Sequence, residues 1–188
     1  FACVISSGGW GNGERKFRGQ HPGEAAWTKF MNMLEEGKRY KAQHGKPMMV
    51  DRYDIVLIDV PAHRMEEVDE ILQKSDFIFV TSLFSVPAVK QMHRAMKRFS
   101  EQDIPLTRTA AIITDSETKL FGLINQRFNI KDIIGEERLF FIRRDRTFAM
   151  ECVDAGASMI QSQPRRGISE DIKKVAEHIK TVAPIESA

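Results

Sequence analysis

The 188-residue sequence predicts an α/β domain, a mostly parallel sheet flanked by helices in three layers. Three observations carry that expectation. The apolar runs are nearly continuous, as in strands covered on both faces. Between them, apolar residues recur at every third and fourth position, the pattern of a helix with one buried face. Strand and helix alternate along the chain, which requires βαβ crossovers.

Each element can be placed in order. Phe1–Ile5 (FACVI) is the first apolar run. Trp27, Phe30, Met31 and Leu34 form the first helical stripe. Met48–Met49 before Val50 predict a further strand or a contact patch. Tyr53–Val60 (YDIVLIDV) is the second main strand, followed by a stripe at Met65, Val68, Ile71 and Leu72. Asp76–Phe84 is the third strand, and Val89, Met92, Met96 and Phe99 the next stripe. Thr109–Thr114 and Arg138–Ile142 are shorter strands. The last helix carries Ile172, Val175, Ala176, Ile179 and Val182, with Ser169 as its expected N-cap and Glu170 and Asp171 in its first turn. No repeat, low-complexity tract or long linker interrupts the pattern, so residues 1–188 read as a single domain.

Composition narrows the function class without naming it. Apolar content of 42% and charged content of 29% are ordinary for a globular protein, and the chain is long enough for a sizeable core. A net charge of +2 is too small to argue for nucleic acid by itself. No apolar run nears the ~18 residues that would cross a membrane, and no signal peptide is evident. Cys3 and Cys152 lack metal-ligand spacing and read as free thiols of a reducing, cytoplasmic protein. The five histidines are scattered, without a zinc pattern, and no nucleophile elbow occurs.

In open α/β sheets, ligands bind beyond the carboxyl ends of the strands. Three such ends stand out. One is Ser7–Gly13 (SGGWGNG), directly after FACVI. Another is Asp59 and Pro61, closing the most hydrophobic strand. The third is Thr114–Glu117 (TDSE). A carboxylate closing an apolar strand needs a partner. Spacing leaves two open: the amides of the next turn, or a magnesium-bound water. Positive charge clusters too, at Lys90, Arg94 and Lys97, at Arg138, Arg143, Arg144 and Arg146, at Arg165–Arg166 and at Lys173–Lys174. Such clusters serve either DNA phosphates, through counterion release, or a solvated ion-paired surface. No aromatic is interleaved to stack bases.

Two long stretches add a family resemblance. RYDIVLIDVPAHRMEEVDEILQKSDFIFVTSLFSVPAV (Arg52–Val89) resembles the middle of a ParA/MinD-type deviant Walker ATPase. LFFIRRDRTFAMECVDAGASMIQSQPRRGISEDIKKVAEHI (Leu139–Ile179) resembles that family's closing part, where a helix ends in an Ala-Gly pair, here Ala155-Gly156. The resemblance runs from about Tyr53 to Ile179, roughly two-thirds of the chain. The resemblance implies a P-loop NTPase-like fold and a partition or positioning ATPase whose ATP-switched homodimer holds DNA or a protein partner. It implies ATP and Mg2+ as cofactors, with Asp59 as the catalytic carboxylate that also reaches the metal through water. Thr114 and the Arg143–Arg146 stretch would flank the base. Nonspecific DNA would be met by Arg143, Arg144, Arg146, Lys173 and Lys174. The end of the chain, APIESA, is not an amphipathic membrane anchor, so a membrane partner is not expected.

The glycine segment departs from the family's Lys-Gly-Gly-x-Gly-Lys-Thr loop. Gly8, Gly9 and Gly11 are kept and Trp10 fills the variable place. Ser7 and Asn12 stand where the two lysines should be, and Gly13 where the metal-binding hydroxyl should be. Gly8, Gly9, Gly11, Asn12 and Gly13 retain amides that can cradle phosphate. The lost lysines and hydroxyl would weaken ATP binding and largely remove hydrolysis. The following stretch, GERKFRGQHPGE, also breaks the expected helix. Three readings stay open. The segment is a degenerate phosphate loop; or the true loop precedes Phe1 and FACVIS is the family's second strand; or the segment is a plain structural loop. Two functions follow: a nucleotide-switched ATPase, or a non-catalytic adaptor that keeps the fold.

Overall fold

A computed structural model describes residues 2–6, 55–61, 69–116 and 130–182, together with the helical positions Thr28, Lys29, Asn32 and Glu36. The glycine segment, Met48–Val50, Met65, Val68 and Glu117 lie outside the described residues. Among the described residues, five strands form one sheet: β1 (Ala2–Ser6), β2 (Leu57–Pro61), β3 (Phe77–Leu83), β4 (Thr109–Ser116) and β5 (Leu139–Arg143). Their order is β2-β1-β3-β4-β5, and every neighbouring pair is parallel. The helices described along their whole length are α1 (Asp69–Lys74), α2 (Val86–Glu101), α3 (Ile130–Ile134), α4 (Arg146–Asp154), α5 (Met159–Ser162) and α6 (Gly167–Val182).

Continuous apolar runs became strands because both sheet faces are covered. Ile78 and Val80 of β3 point to one face, where they pack with Ile71 and Leu72 of α1 and Val89, Met92, Met96 and Phe99 of α2. Phe77 and Phe79 point to the other, against Val175 of α6, with Ile179 and Val182 beside them. Helix, sheet and helix make the three layers. A third, smaller cluster of Phe148, Cys152 and Ile168 joins α4 to α6.

The four-residue stripe on α2 is buried as its period requires, and Ser85 caps that helix by accepting from the Ala88 amide at 3.4 Å. Helix α4 ends as the Ala155-Gly156 pair implies. Gly156 takes φ 61°, the Gly156 amide donates to the Val153 carbonyl and the Ala157 amide to that of Cys152. This is a Schellman motif, which needs a left-handed residue at that point.

Two expectations differ from the structure. Strand β2 is shorter than Tyr53–Val60, because its neighbour β1 begins at Ala2, which pairs with Leu57. Ile55 and Val56 precede that ladder and lie outside the strand. Ser169 is not the cap of the last helix. Helix α6 starts at Gly167, and the fully buried Ser169 hydroxyl donates to the Met159 carbonyl at 3.0 Å, tying α5 to α6. Asp171, the other acid near that helix start, is buried.

Candidate functional site

Because the sheet is parallel, all carboxyl ends share one rim. The chain passes from β1 to β2 on one side, then crosses back to β3 on the other. The direction of winding therefore reverses at β1. Such a switch point leaves a crevice beyond the strand ends, between connections that run apart. Ser6 closes β1 there, so the glycine segment departs from the switch point itself.

Asp59 lies on β2 next to β1, in register with Val4, two residues before the strand ends at Pro61. Ile58 and Val60 on either side of it are buried in the core, while Asp59 is exposed. Pleating explains the contrast: successive residues of a strand face opposite sides. No hydrogen bond or ion pair engages the Asp59 carboxylate among the described residues. A carboxylate held on a rigid strand and left unpaired is a fitting acceptor for a hydrated cation.

The β4 end of the rim is more elaborate. The Thr114 hydroxyl donates to the Ser82 carbonyl at 3.3 Å, and the Thr114 carbonyl accepts from the Phe84 amide at 2.9 Å. The β4–β5 register then shifts between Ile113 and Ser116, a bulge in which Asp115 takes φ 59°. That bulge aims the Asp115 carboxylate at Arg144, 3.1 Å away. The Ser116 hydroxyl ties back to the Ile142 carbonyl at 3.2 Å. Thr114 and Asp59 are not brought together. Their registers place them four residues along and three strand spacings across the sheet, roughly 20 Å apart.

The basic cluster around β5 divides. Arg138 lies at the amino end of the strand, where its guanidinium donates to the Leu106 and Thr109 carbonyls. Arg143, Arg144 and Arg146 lie at the other end. Arg143 is held by Asp171 of α6 through Nε at 2.7 Å, Nη2 at 3.0 Å and its backbone amide at 3.1 Å. Burial pushes the Asp171 carboxyl up, but the Arg143 hydrogen bonds outweigh it and hold its pKa below the ordinary value. Lys174 adds a second cation to Asp171 at 3.7 Å, and Lys173 donates to the Pro164 carbonyl at 2.6 Å. A cavity of about 430 Å³ runs along this corner, walled by Phe140, Arg143, Asp171 and Lys174.

A parallel lock stands beside it. Arg166 donates to Asp145, the N-cap of α4, and its guanidinium lies 4.3 Å from the Phe148 ring centre. The Arg166 hydrogen bonds lower the Asp145 pKa. The sequence offered no sign of these two locks, because Asp145 and Asp171 lie 21 and 28 residues from their arginines. Gly167 completes the corner: a Cβ there would overlap the Arg143 guanidinium.

Fold and rim together define an open, parallel α/β domain flanked by helices. No family profile matches the chain, and no curated protein matches it in sequence. Solved structures do match in shape. The ParA family ATPase from Chlorobium tepidum TLS aligns over 94% of this chain and 85% of its own, with a TM-score of 0.56 and 15% identity. A chain of the MinC:MinD cell division protein complex from Aquifex aeolicus aligns over 100% of this chain and 84% of its own, with a TM-score of 0.60 and 15% identity. The chain therefore has the fold of the ParA and MinD ATPases. Among the described residues, no helix is long and apolar enough to cross a membrane.

Proposed function

We propose that this chain is a ParA/MinD-like domain that binds ATP at the rim of β1 and β2 and uses it to switch a homodimer holding a protein partner. The observation that carries this reading is the position of β1. It lies between β2 and β3, so SGGWGNG leaves the sheet at the switch point, next to the strand that bears Asp59. A phosphate loop belongs at that place, which favours reading FACVIS as the loop strand over reading it as a second strand.

The residues fit the cofactors only in part. Asp59 fits a water on Mg2+, as an unpaired carboxylate on a strand. Gly8, Gly9, Gly11, Asn12 and Gly13 offer backbone amides to phosphate, and bound ATP would supply the charge that closes the dimer. No lysine lies within Ser7–Gly13, and glycine replaces the metal-binding hydroxyl. The segment thus supports binding better than hydrolysis. Thr114 and the loop after it would meet the far end of the nucleotide. As DNA contacts, Arg143, Arg144, Lys173 and Lys174 are compromised by the intramolecular partners they already hold. Arg146 alone of the proposed five is exposed with no such partner among the described residues.

The missing lysines favour a second reading, an adaptor that keeps the fold and binds its partner without nucleotide. Calorimetric titration with ATP separates the two. Binding that requires Mg2+ and is weakened in Asp59→Asn supports the switch. The absence of heat at millimolar ATP supports the adaptor.

A further inference from the structure

We propose that the solvent face of α2 is a docking site for an acidic, amphipathic segment of a partner protein. The inference rests on the residues of α2 and is independent of whether the rim binds nucleotide. Val86, Lys90, Arg94 and Lys97 follow one another at separations of four, four and three residues. At 3.6 residues per turn they share an arc of about 80° on one side of the helix, along roughly 16 Å of its length. The opposite side is the core face of Val89, Met92, Met96 and Phe99. All four residues of the row are exposed.

The row is a poor choice for the helix itself. Glu101 is the single acid in the sixteen residues of α2, and the first turn has none. Lys90, Arg94 and Arg98 stand at i, i+4 and i+8, so like charges face each other along the helix, which is unfavourable. Arg98 is relieved by Asp69, which it grips with 3.0 Å bonds to both carboxylate oxygens. Lys97 has a loose, exposed contact with Glu101 at 3.7 Å. Lys90 and Arg94 have no ion pair or hydrogen bond among the described residues. A local rule broken without structural gain is expected where a surface serves binding.

The apolar end of the row selects the partner. Val86 is 38% exposed. A phosphate backbone offers nothing to cover this side chain. A membrane-surface helix needs an apolar face along its length, and that face of α2 is already spent on the core. A protein segment with an apolar anchor followed by carboxylates at helical spacing matches both halves. The anchor would seat on Val86, and the carboxylates over Lys90, Arg94 and Lys97.

The test is fluorescence anisotropy with nucleotide-free protein and four labelled probes. One is a helical peptide with leucine at one end and glutamates at helical spacing; another is the same peptide with leucine replaced by serine. The others are a short DNA duplex and phosphatidylserine vesicles. The first peptide is expected to bind best, with affinity falling as salt rises. Lys90→Glu with Arg94→Glu should lower it about tenfold or more, and Val86→Ser should lower it severalfold. These exposed changes should leave the melting temperature unchanged or higher, which separates lost docking from lost folding. The proposal is overturned if the first peptide fails to bind, or if its binding survives the double reversal. It is equally overturned if the duplex or the vesicles bind through Lys90 and Arg94 as tightly as the peptide does.

Discussion

The corner of β5 and α6 and the outer face of α2 carry similar numbers of cations and treat them in opposite ways. At the corner, Arg143 and Lys174 converge on the buried Asp171, Arg144 meets Asp115, and Arg166 meets Asp145. On α2, Lys90 and Arg94 face solvent with no partner among the described residues. The corner's charge is consumed in holding the last helix to the sheet. The charge of α2 is left available. A basic stretch in a sequence is thus either mortar or surface, and the carboxylates that decide between them come from distant parts of the chain.

Breaking the corner should have the largest effect. Asp171→Asn leaves Arg143 at most two of its three hydrogen bonds to that side chain and removes a buried countercharge, and should lower stability by about 2–3 kcal/mol. The Arg143 side chain is 54% exposed, which holds the loss below that of a fully buried pair. Urea unfolding measures it, and Lys90→Ala should be near neutral in the same assay. Gly167→Ala comes next. Its methyl must displace Arg143 from Asp171, at a cost of about 1–2 kcal/mol. If Asp171→Asn is already present, most of that second cost should vanish, because the two changes act on one contact.

Acid should loosen the same helix through His178. That ring sits on α6 against Phe77, Phe79 and Phe140, with centroids 5.0 to 6.3 Å away. Burial pushes its pKa below 6.5, and the Arg138 charge adds to the shift while Glu137 opposes it. A folded-state pKa below the unfolded one means that the neutral ring is the form the fold accepts. Its contribution is therefore intact above about pH 6.5 and lost as pH falls from there toward the folded value. Thermal melts between neutral and mildly acid pH should show this fall, and His178→Phe should flatten it. Asp145 and Asp171 have lowered pKa values and stay charged through that window. The smallest effect belongs to α2. Lys90→Glu replaces a like-charge i,i+4 pair with an opposite one and should raise stability by about 0.3–0.5 kcal/mol.

What the sequence revealed follows from what is local. Strand β3 and helix α2 were legible because their patterns repeat within one element: FIFVTSL is buried almost throughout, and all four stripe residues of α2 are core. Asp59 was legible as a carboxylate interrupting an apolar run near a strand end. Ser169 was misleading because a hydroxyl near a helix start looks alike whether it accepts from an amide or donates to a distant carbonyl. The bulge at Asp115 leaves no trace in TAAIITDS, since only the pairing with β5 exposes the shifted register. The place of β1 between β2 and β3 is likewise a matter of pairing, invisible along the chain and decisive for the rim.

That rim is most directly tested by paramagnetic broadening of backbone amides with Mn2+ and ATP. The account predicts broadening centred on the carboxyl ends of β1 and β2, around Ser6, Asp59 and Val60, with the amides of α2 from Lys90 to Lys97 unaffected. Undisturbed β1 and β2 signals at millimolar Mn2+–ATP, or broadening centred away from these strand ends, would contradict it.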